Sequence, residues 1–239
     1  MQCLVLAGGL GTRMGRRTAD RPKAMLPVAG QPFIRHQLRL LWERGVDDIV
    51  ICIGYRGEII EDEVARNCPD GMSVRCSSDG DRLLGTAGAV RLAVENGLAA
   101  DRFMVLYGDS YLRVDYADVW RSFDGSKHHG LMTVWRNDDT LETSNASVRD
   151  GRVVGYHKGT DGTRHPRLNY IDYGLGILTA DAVLSLVPTE APHDLATLYE
   201  TLATRGQLQA YEVDHRFHEI GSESGLAELD HLLTIALHR

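Results

Sequence analysis

Gly8-Gly9-Leu10-Gly11-Thr12-Arg13, with Lys23 further along, combines backbone that can approach an anion closely with side chains that can neutralise one. Glycine lacks a Cβ, so successive N–H groups can turn together into a nest around phosphate oxygens. Arginine grips such oxygens with a rigid fork, whereas lysine is a mobile point charge on a flexible stem. Between Arg13 and Lys23 five cations (Arg13, Arg16, Arg17, Arg21, Lys23) face one anion (Asp20), in a chain whose net charge is −7. That contrast predicts a focused site for a small polyanion. Taken alone, the same features also describe a solvated basic loop or a structural turn.

Spacing separates this loop from two common nucleotide motifs. A dinucleotide fingerprint starting at Gly9 and Gly11 requires a third glycine where Met14 stands. A P-loop requires a Gly-Lys pair, and the chain contains none. The first mismatch also argues against a nicotinamide dehydrogenase.

The elements that must position the loop follow from periodicity. Gln2 to Ala7 reads as a buried strand feeding the glycines, and Phe33 to Trp42 as a helix stopped by Gly45. Strands are expected at 48–53, 73–77 and 102–107, with helices at 57–66, 86–96 and 115–123. This alternation implies a parallel sheet, because parallel neighbours need crossover helices. Beyond it, strands at 131–136, 146–149, 153–157 and 169–178 are joined by turns such as Asp150-Gly151 and Asp161-Gly162. Helices at 180–186, 194–205 and 223–238 flank a last strand at 208–213. The expected fold is α/β: one Rossmann-like three-layer domain over 1–239, with a mostly parallel mixed central sheet and a small antiparallel subregion. In such sheets the ligand crevice lies outside the carboxyl ends of the strands, where Gly8 to Arg13 and Gly108-Asp109 both fall.

Composition narrows the class. Hydrophobic content of 43% and charged content of 25% are those of an ordinary globular protein. The apolar runs are of strand length, which predicts no membrane span, and the N-terminus lacks a secretory pattern, which predicts a cytoplasmic protein. The acidic balance argues against general nucleic-acid binding. Cys3, Cys52, Cys68 and Cys76 have neither disulfide nor zinc-ligand spacing and read as reduced thiols.

Residues 4–30, LVLAGGLGTRMGRRTADRPKAMLPVAG, resemble the signature of the sugar-1-phosphate nucleotidyltransferase family, in which GGxGTR is followed by PKxxxPVxG. The likeness continues through LGTAGA (84–89), Gly108-Asp109, Tyr170 to Leu178 and Phe217 to Ser222, and so covers essentially the whole chain. Members acting on heptose 1-phosphate with guanylyl transfer, or on N-acetylmuramate 1-phosphate with uridylyl transfer, are the most similar in feel. The resemblance implies a Rossmann-like fold and a reaction between a nucleoside triphosphate and a sugar 1-phosphate that releases pyrophosphate. It implies catalytic roles for Arg13 and Lys23, and nucleotide contacts from Leu6, Ala7, Gly8, Gly9, Gly11, Thr12, Gly85 and Thr86. Sugar-phosphate contacts would come from Gly88, Lys158, Asp172 and Gly174.

Chemistry between two anions requires charge neutralisation, for which Mg²⁺ on one or two carboxylates is the usual device. The resemblance assigns this metal to Asp109 and Glu219. The chain departs from the pattern at Gly15-Arg16-Arg17, where many members have proline, at Asp172, where many have asparagine, and at Glu219, where aspartate is usual. Thr86 and Glu219 also have local readings, as a helix cap and as an acidic residue ahead of the last helix. Two alternatives remain: a cytidylyltransferase acting on a non-sugar phosphate, and a non-catalytic sugar-nucleotide-binding homologue. Oligomeric state and the identities of base and sugar are left open.

Overall fold

The computed structural model describes residues 1–137, 143–158, 168–189 and 192–237. Its elements are, in chain order, β1 (Gln2–Leu6), β2 (Pro27–Val28), β3 (Gln31–Pro32), α1 (Phe33–Glu43), β4 (Asp48–Ile53), α2 (Gly57–Asn67), β5 (Ser73–Ser78), α3 (Gly85–Glu95), β6 (Arg102–Tyr107), β7 (Ser110–Tyr111), α4 (Tyr116–Ser122), β8 (Gly130–Arg136), β9 (Ala146–Arg149), β10 (Arg152–Tyr156), β11 (Tyr170–Thr179), α5 (Ala180–Leu186), α6 (Leu195–Thr204), β12 (Leu208–Val213), β13 (His218–Glu219) and α7 (Glu223–Leu237). The expected turn at Asp161-Gly162 lies outside the described residues.

One mixed sheet carries nine of these strands in the order β5-β4-β1-β6-β11-β8-β12-β10-β9. The first four are mutually parallel. β11 then runs against both β6 and β8, and β10 runs against β12 and β9, while β12 is parallel to β8. The expected antiparallel subregion therefore begins directly beside the parallel half. The β9–β10 hairpin turns at Asp150 (φ 51°) and Gly151 (φ 71°), the pair of positive φ values that suits the twist of a two-residue hairpin.

Alternation along the strands feeds two apolar cores. Cys3, Val5, Ile49, Ile51, Met104 and Leu106 face one side of the sheet, where Ile34, Leu38 and Leu41 of α1, Ile60 of α2 and Val119 of α4 cover them. Leu4, Val50, Cys52, Phe103 and Val105 face the other, beneath α3, α5 and α6. Each buried Leu or Ile contributes about 1.5–3 kcal/mol of transfer free energy, so the alternation itself fixes which face each helix takes. A third core, not anticipated from sequence, joins Met14, Leu26, Val28 and Phe33 to Ile220, Leu226, Leu229 and Leu233. It fastens the segment after the glycine loop to α7.

Gly108 ends β6 where that strand crowds β1. Its N–H donates to the Leu6 carbonyl at 3.0 Å, and an added Cβ would lie 2.5 Å from that oxygen and 3.1 Å from Ala7 Cα. Both neighbours are backbone, at and just after the end of β1, and cannot turn aside as a side chain would. Gly108→Ala is expected to lower stability by about 1–3 kcal/mol, read as a fall of several degrees in the calorimetric midpoint. An unchanged midpoint would show that the strand ends can separate at no cost.

Candidate active site

The carboxyl ends of β1, β4 and β6 open onto a cavity of about 240 Å³, lined by Leu6, Ala7, Gly8, Gly9, Gly11, Lys23, Ala24, Cys52, Asp79, Leu83, Gly85, Thr86, Ala89, Tyr107, Gly108 and Asp109. The glycine loop holds its wall because it has no side chains to displace. A Cβ on Gly8 would sit 3.1 Å from the Gly54 amide nitrogen, and the Gly8 carbonyl accepts the Tyr55 N–H at 3.3 Å. Gly11 takes φ 64° and its carbonyl accepts the Met14 N–H and the Thr18 hydroxyl, both at 2.9 Å. Residues 12–18 then form a 3-10 segment pinned by buried Met14 and Thr18, with Thr12, Arg13, Arg16 and Arg17 exposed. Arg17 is bound by Glu223 at 2.7 Å.

Lys23 opens a second 3-10 turn, Lys23–Met25, whose Ala24 is buried in one core and whose following residue, Leu26, is buried in another. Anchored in this way, the turn sends the lysine Nζ to within 2.9 Å of Asp109 Oδ2, with the two side chains 16% and 27% exposed. Asp109 sits in the turn between β6 and β7. The buried Gln37 side chain on α1 donates to the Tyr107 and Ser110 carbonyls at 3.0 and 2.8 Å, clamping the chain on both sides of Gly108-Asp109. Sequence reasoning passed over Gln37 because a polar residue on an amphipathic helix carries no signal of burial.

Glu219 lies in β13, which pairs with β7 so that Glu219 stands opposite Ser110. The Ile220 N–H donates to the Asp109 carbonyl at 2.9 Å. The Glu219 carboxylate accepts from the Gly221 N–H and, at 2.7 Å, from the Ser222 hydroxyl. A Cβ on Gly221 would collide with Glu219 Oε2 and lie 3.3 Å from Asp109 Oδ2, so the absent side chain leaves the space between the two carboxylates open. Among the described residues no group of three or more His, Cys, Asp or Glu could hold a metal ion. Two hard oxygen donors, with the remaining ligands supplied by phosphate and water, suit Mg²⁺.

On the opposite rim, α3 starts at Gly85 (φ 76°), where a Cβ would strike the His193 carbonyl. That carbonyl accepts the Ala87 N–H at 2.9 Å and the Gly88 N–H at 3.4 Å, which tethers the first turn of α3 to the segment ahead of α6. Thr86 does not cap its own helix. Its hydroxyl accepts the Leu195 N–H at 2.7 Å and donates to Asp194, the cap of α6, at 3.3 Å. Asp194 also holds the half-exposed Lys158 at 2.6 Å, so Lys158 joins the cavity through Asp194 and Thr86. Asp194 gave no sequence signal beyond that of a helix cap.

Asp172 stands on β11 at the register break between Asp172 and Gly176. It accepts from the hydroxyls of Tyr156 at 3.2 Å and Tyr107 at 3.5 Å, and from the Gly174 N–H at 3.0 Å, and its own N–H donates to Asn145 at 2.8 Å. Tyr156 and Tyr199 pack edge to face nearby. Burial pushes the Asp172 carboxyl up to about 6, against the opposing pull of these hydrogen bonds. Gly174 (φ 99°) packs on Ser110, with space for a Cβ limited to 3.1 Å from Ser110 Oγ. Nine of the sixteen expected residues line one cavity, with Asp172 one hydrogen bond behind Tyr107 and Glu219 beside Asp109, whereas Thr12, Arg13, Gly88, Lys158 and Gly174 are not on its wall.

The four cysteines are unpaired, and burial pushes the Cys3 and Cys52 thiols up, so they remain protonated core residues. No helix among the described residues is long and apolar enough to cross a membrane.

Residues 3–212 match the family described as MobA-like NTP transferase domain. The chain is 26% identical over 234 residues to glucose-1-phosphate cytidylyltransferase of Salmonella typhimurium, covering 89% of this chain and 88% of that one. It is 26% identical over 162 residues to D-glycero-alpha-D-manno-heptose 1-phosphate guanylyltransferase of Aneurinibacillus thermoaerophilus, covering 66% and 69%. Among solved structures, HddC from Yersinia pseudotuberculosis complexed with GMP-PN superimposes with a TM-score of 0.78 at 25% identity, covering 97% of this chain and 99% of that one. A putative glucose-1-phosphate thymidylyltransferase from Bacillus anthracis, at 21% identity, shares the fold with a TM-score of 0.79.

Because the folded-state pKa of Asp172 is raised above its usual 3.8, the folded protein holds this proton more tightly than the unfolded chain. The associated stability is complete below about pH 4 and is lost as pH rises through about 6. Asp172→Asn removes that dependence. Between pH 4 and pH 6 the variant should gain on the parent by on the order of 2 kcal/mol, measured as the difference of two urea-denaturation series. Parallel pH profiles would place Asp172 in a well-solvated environment.

Proposed function

The chain belongs to the MobA-like NTP transferase domain family, and on that premise we propose that it joins a nucleoside triphosphate to a sugar 1-phosphate, giving an NDP-sugar and pyrophosphate. The observation that carries this reading is the meeting of Lys23 and Asp109, 2.9 Å apart, at the mouth of a glycine-walled cavity. A lysine and a carboxylate that neutralise each other in the folded chain can each be released to a ligand of opposite charge, the lysine to a phosphate and the carboxylate to a cation. We read the architecture as a single Rossmann-like three-layer nucleotidyltransferase domain over 1–239, acting in the cytoplasm.

The reaction is an in-line displacement. A phosphate oxygen of the sugar 1-phosphate attacks the α-phosphorus, the new P–O bond forms as the bond to the β-phosphate bridging oxygen breaks, and pyrophosphate departs with the electron pair. No protein nucleophile is required, so the chain contributes positioning and electrostatics. Leu6, Ala7, Gly8, Gly9 and Gly11 present backbone to the triphosphate, with Thr12 and Arg13 above it. Lys23 follows the charge on the phosphorus under attack. Gly85 and Thr86 shape the opposite rim beside the nucleoside. Lys158, held ready by Asp194, meets the sugar phosphate, while Gly88, Asp172 and Gly174 line the approach of the sugar. Asp109 and Glu219 are the residues that would hold Mg²⁺, which supplies charge neutralisation between the two anions when bound. A non-catalytic sensor reading is less well supported, since binding alone requires neither the mobile lysine nor the facing carboxylates.

Lys23→Ala should retain the parent's circular dichroism while pyrophosphate release falls on the order of 100- to 1000-fold. Turnover at the parental rate would remove Lys23 from the reaction. In parallel, a chelator titration should abolish release and Mg²⁺ should restore it; full activity under chelation would contradict the roles of Asp109 and Glu219.

A further inference from the structure

The cavity wall combines groups suited to phosphates, namely Lys23, Asp109 and the glycines, with the apolar side chains of Leu6, Cys52, Leu83 and Ala89. Besides Asp109 the wall carries one further carboxylate, Asp79. It follows β5 directly, and its backbone N–H is fixed to the Ile53 carbonyl at 3.0 Å. Its Oδ2 accepts the Leu84 N–H at 3.0 Å, closing the loop that leads into α3. Its Oδ1 is buried without a hydrogen-bond partner. Burial raises the Asp79 carboxyl above its usual range, with only the Leu84 N–H opposing. An orphaned buried acceptor costs free energy that a ligand donor would recover.

We propose that Asp79 reads the Watson–Crick edge of the nucleobase and selects guanine. This inference rests on the nucleotidyl-transfer reading and assigns its base. An ionised carboxylate only accepts hydrogen bonds, through two oxygens with two lone pairs each. Oδ1 is wholly free, and Oδ2 keeps one lone pair beside Leu84. Guanine alone among the common bases presents two adjacent donors, N1–H and the 2-amino group, with no acceptor between them. Uracil and thymine place a carbonyl oxygen on each side of their single N–H and would turn one of these against the carboxylate. Cytosine and adenine offer an amino group beside a bare ring nitrogen, so one carboxylate oxygen would face a lone pair. The apolar walls strengthen this discrimination, because unpaired polar edges cannot be compensated by water there.

The test is calorimetric binding of GTP, CTP, UTP, dTTP and ATP to the full chain, repeated with xanthosine triphosphate and with the Asp79→Asn variant, alongside pyrophosphate release with a panel of sugar 1-phosphates. The parent should bind GTP on the order of 10- to 100-fold more tightly than the other four common nucleotides. Asn keeps an acceptor for Leu84 and presents an amide donor, so Asp79→Asn should lose affinity for GTP by a similar factor and gain it for xanthosine triphosphate, whose 2-position is a carbonyl. Equal or better binding of UTP or dTTP by the parent overturns the inference, as does an unchanged GTP preference in the variant. Asp79-dependent GTP binding without any pyrophosphate release would uphold the base assignment and sink the proposed reaction; release from UTP would do the reverse.

Discussion

The ion pair between Lys23 and Asp109 is the interaction through which the rest of the site is organised. It joins two segments 86 residues apart and sits where three parallel strands end. Each partner is also held by contacts of its own. Lys23 is fixed by neighbours buried in two different cores, and Asp109 by the Gln37 clamp on α1 and by β13 pairing with β7. Because both side chains are largely withdrawn from solvent, the attraction is stronger than that of a surface pair, and removal of either partner leaves a poorly solvated charge. The folded chain therefore stores opposite charges next to each other until a polyanion and a cation can separate them.

A second constraint arises from burial of polar groups around the cavity. Asp172 meets it by collecting tyrosine hydroxyls and a backbone N–H, which offset part of the rise in pKa that burial imposes. Thr86 and Asp194 meet it by satisfying the first turn of α6, which in turn fixes Lys158. Asp79 meets it with only one of its two oxygens. These three carboxylates differ in how completely the protein answers their hydrogen-bonding capacity, and the incompletely answered one lines the cavity.

The strands and helices were largely legible from periodicity. The expected strand limits at 48–53, 102–107 and 208–213 coincide with those observed, because a buried strand bounded by glycine or charge leaves little freedom in its ends. The helices agree within one or two residues. What periodicity could not show were the two-residue strands β7 and β13 and the 3-10 segments at 12–18 and 23–25, which are too short to carry a repeat and exist through contacts with distant chain. Thr86 was readable as a cap of its own helix but not as an acceptor for the first N–H of α6, since that partner lies at Leu195.

The sequence by itself determined the glycine loop, the supply of cations beside it, the α/β alternation and the carboxylate after β6. These are local facts of residue type and spacing, and the elements they specify form under short-range steric and hydrophobic rules. The tertiary structure decided which charges meet: Lys23 with Asp109, Lys158 with Asp194, Glu219 across Gly221 from Asp109, and Asp79 with an oxygen left over. Sequence spacing cannot encode those pairings, because each depends on a desolvated geometry created only when strands far apart in the chain end at the same edge of one sheet.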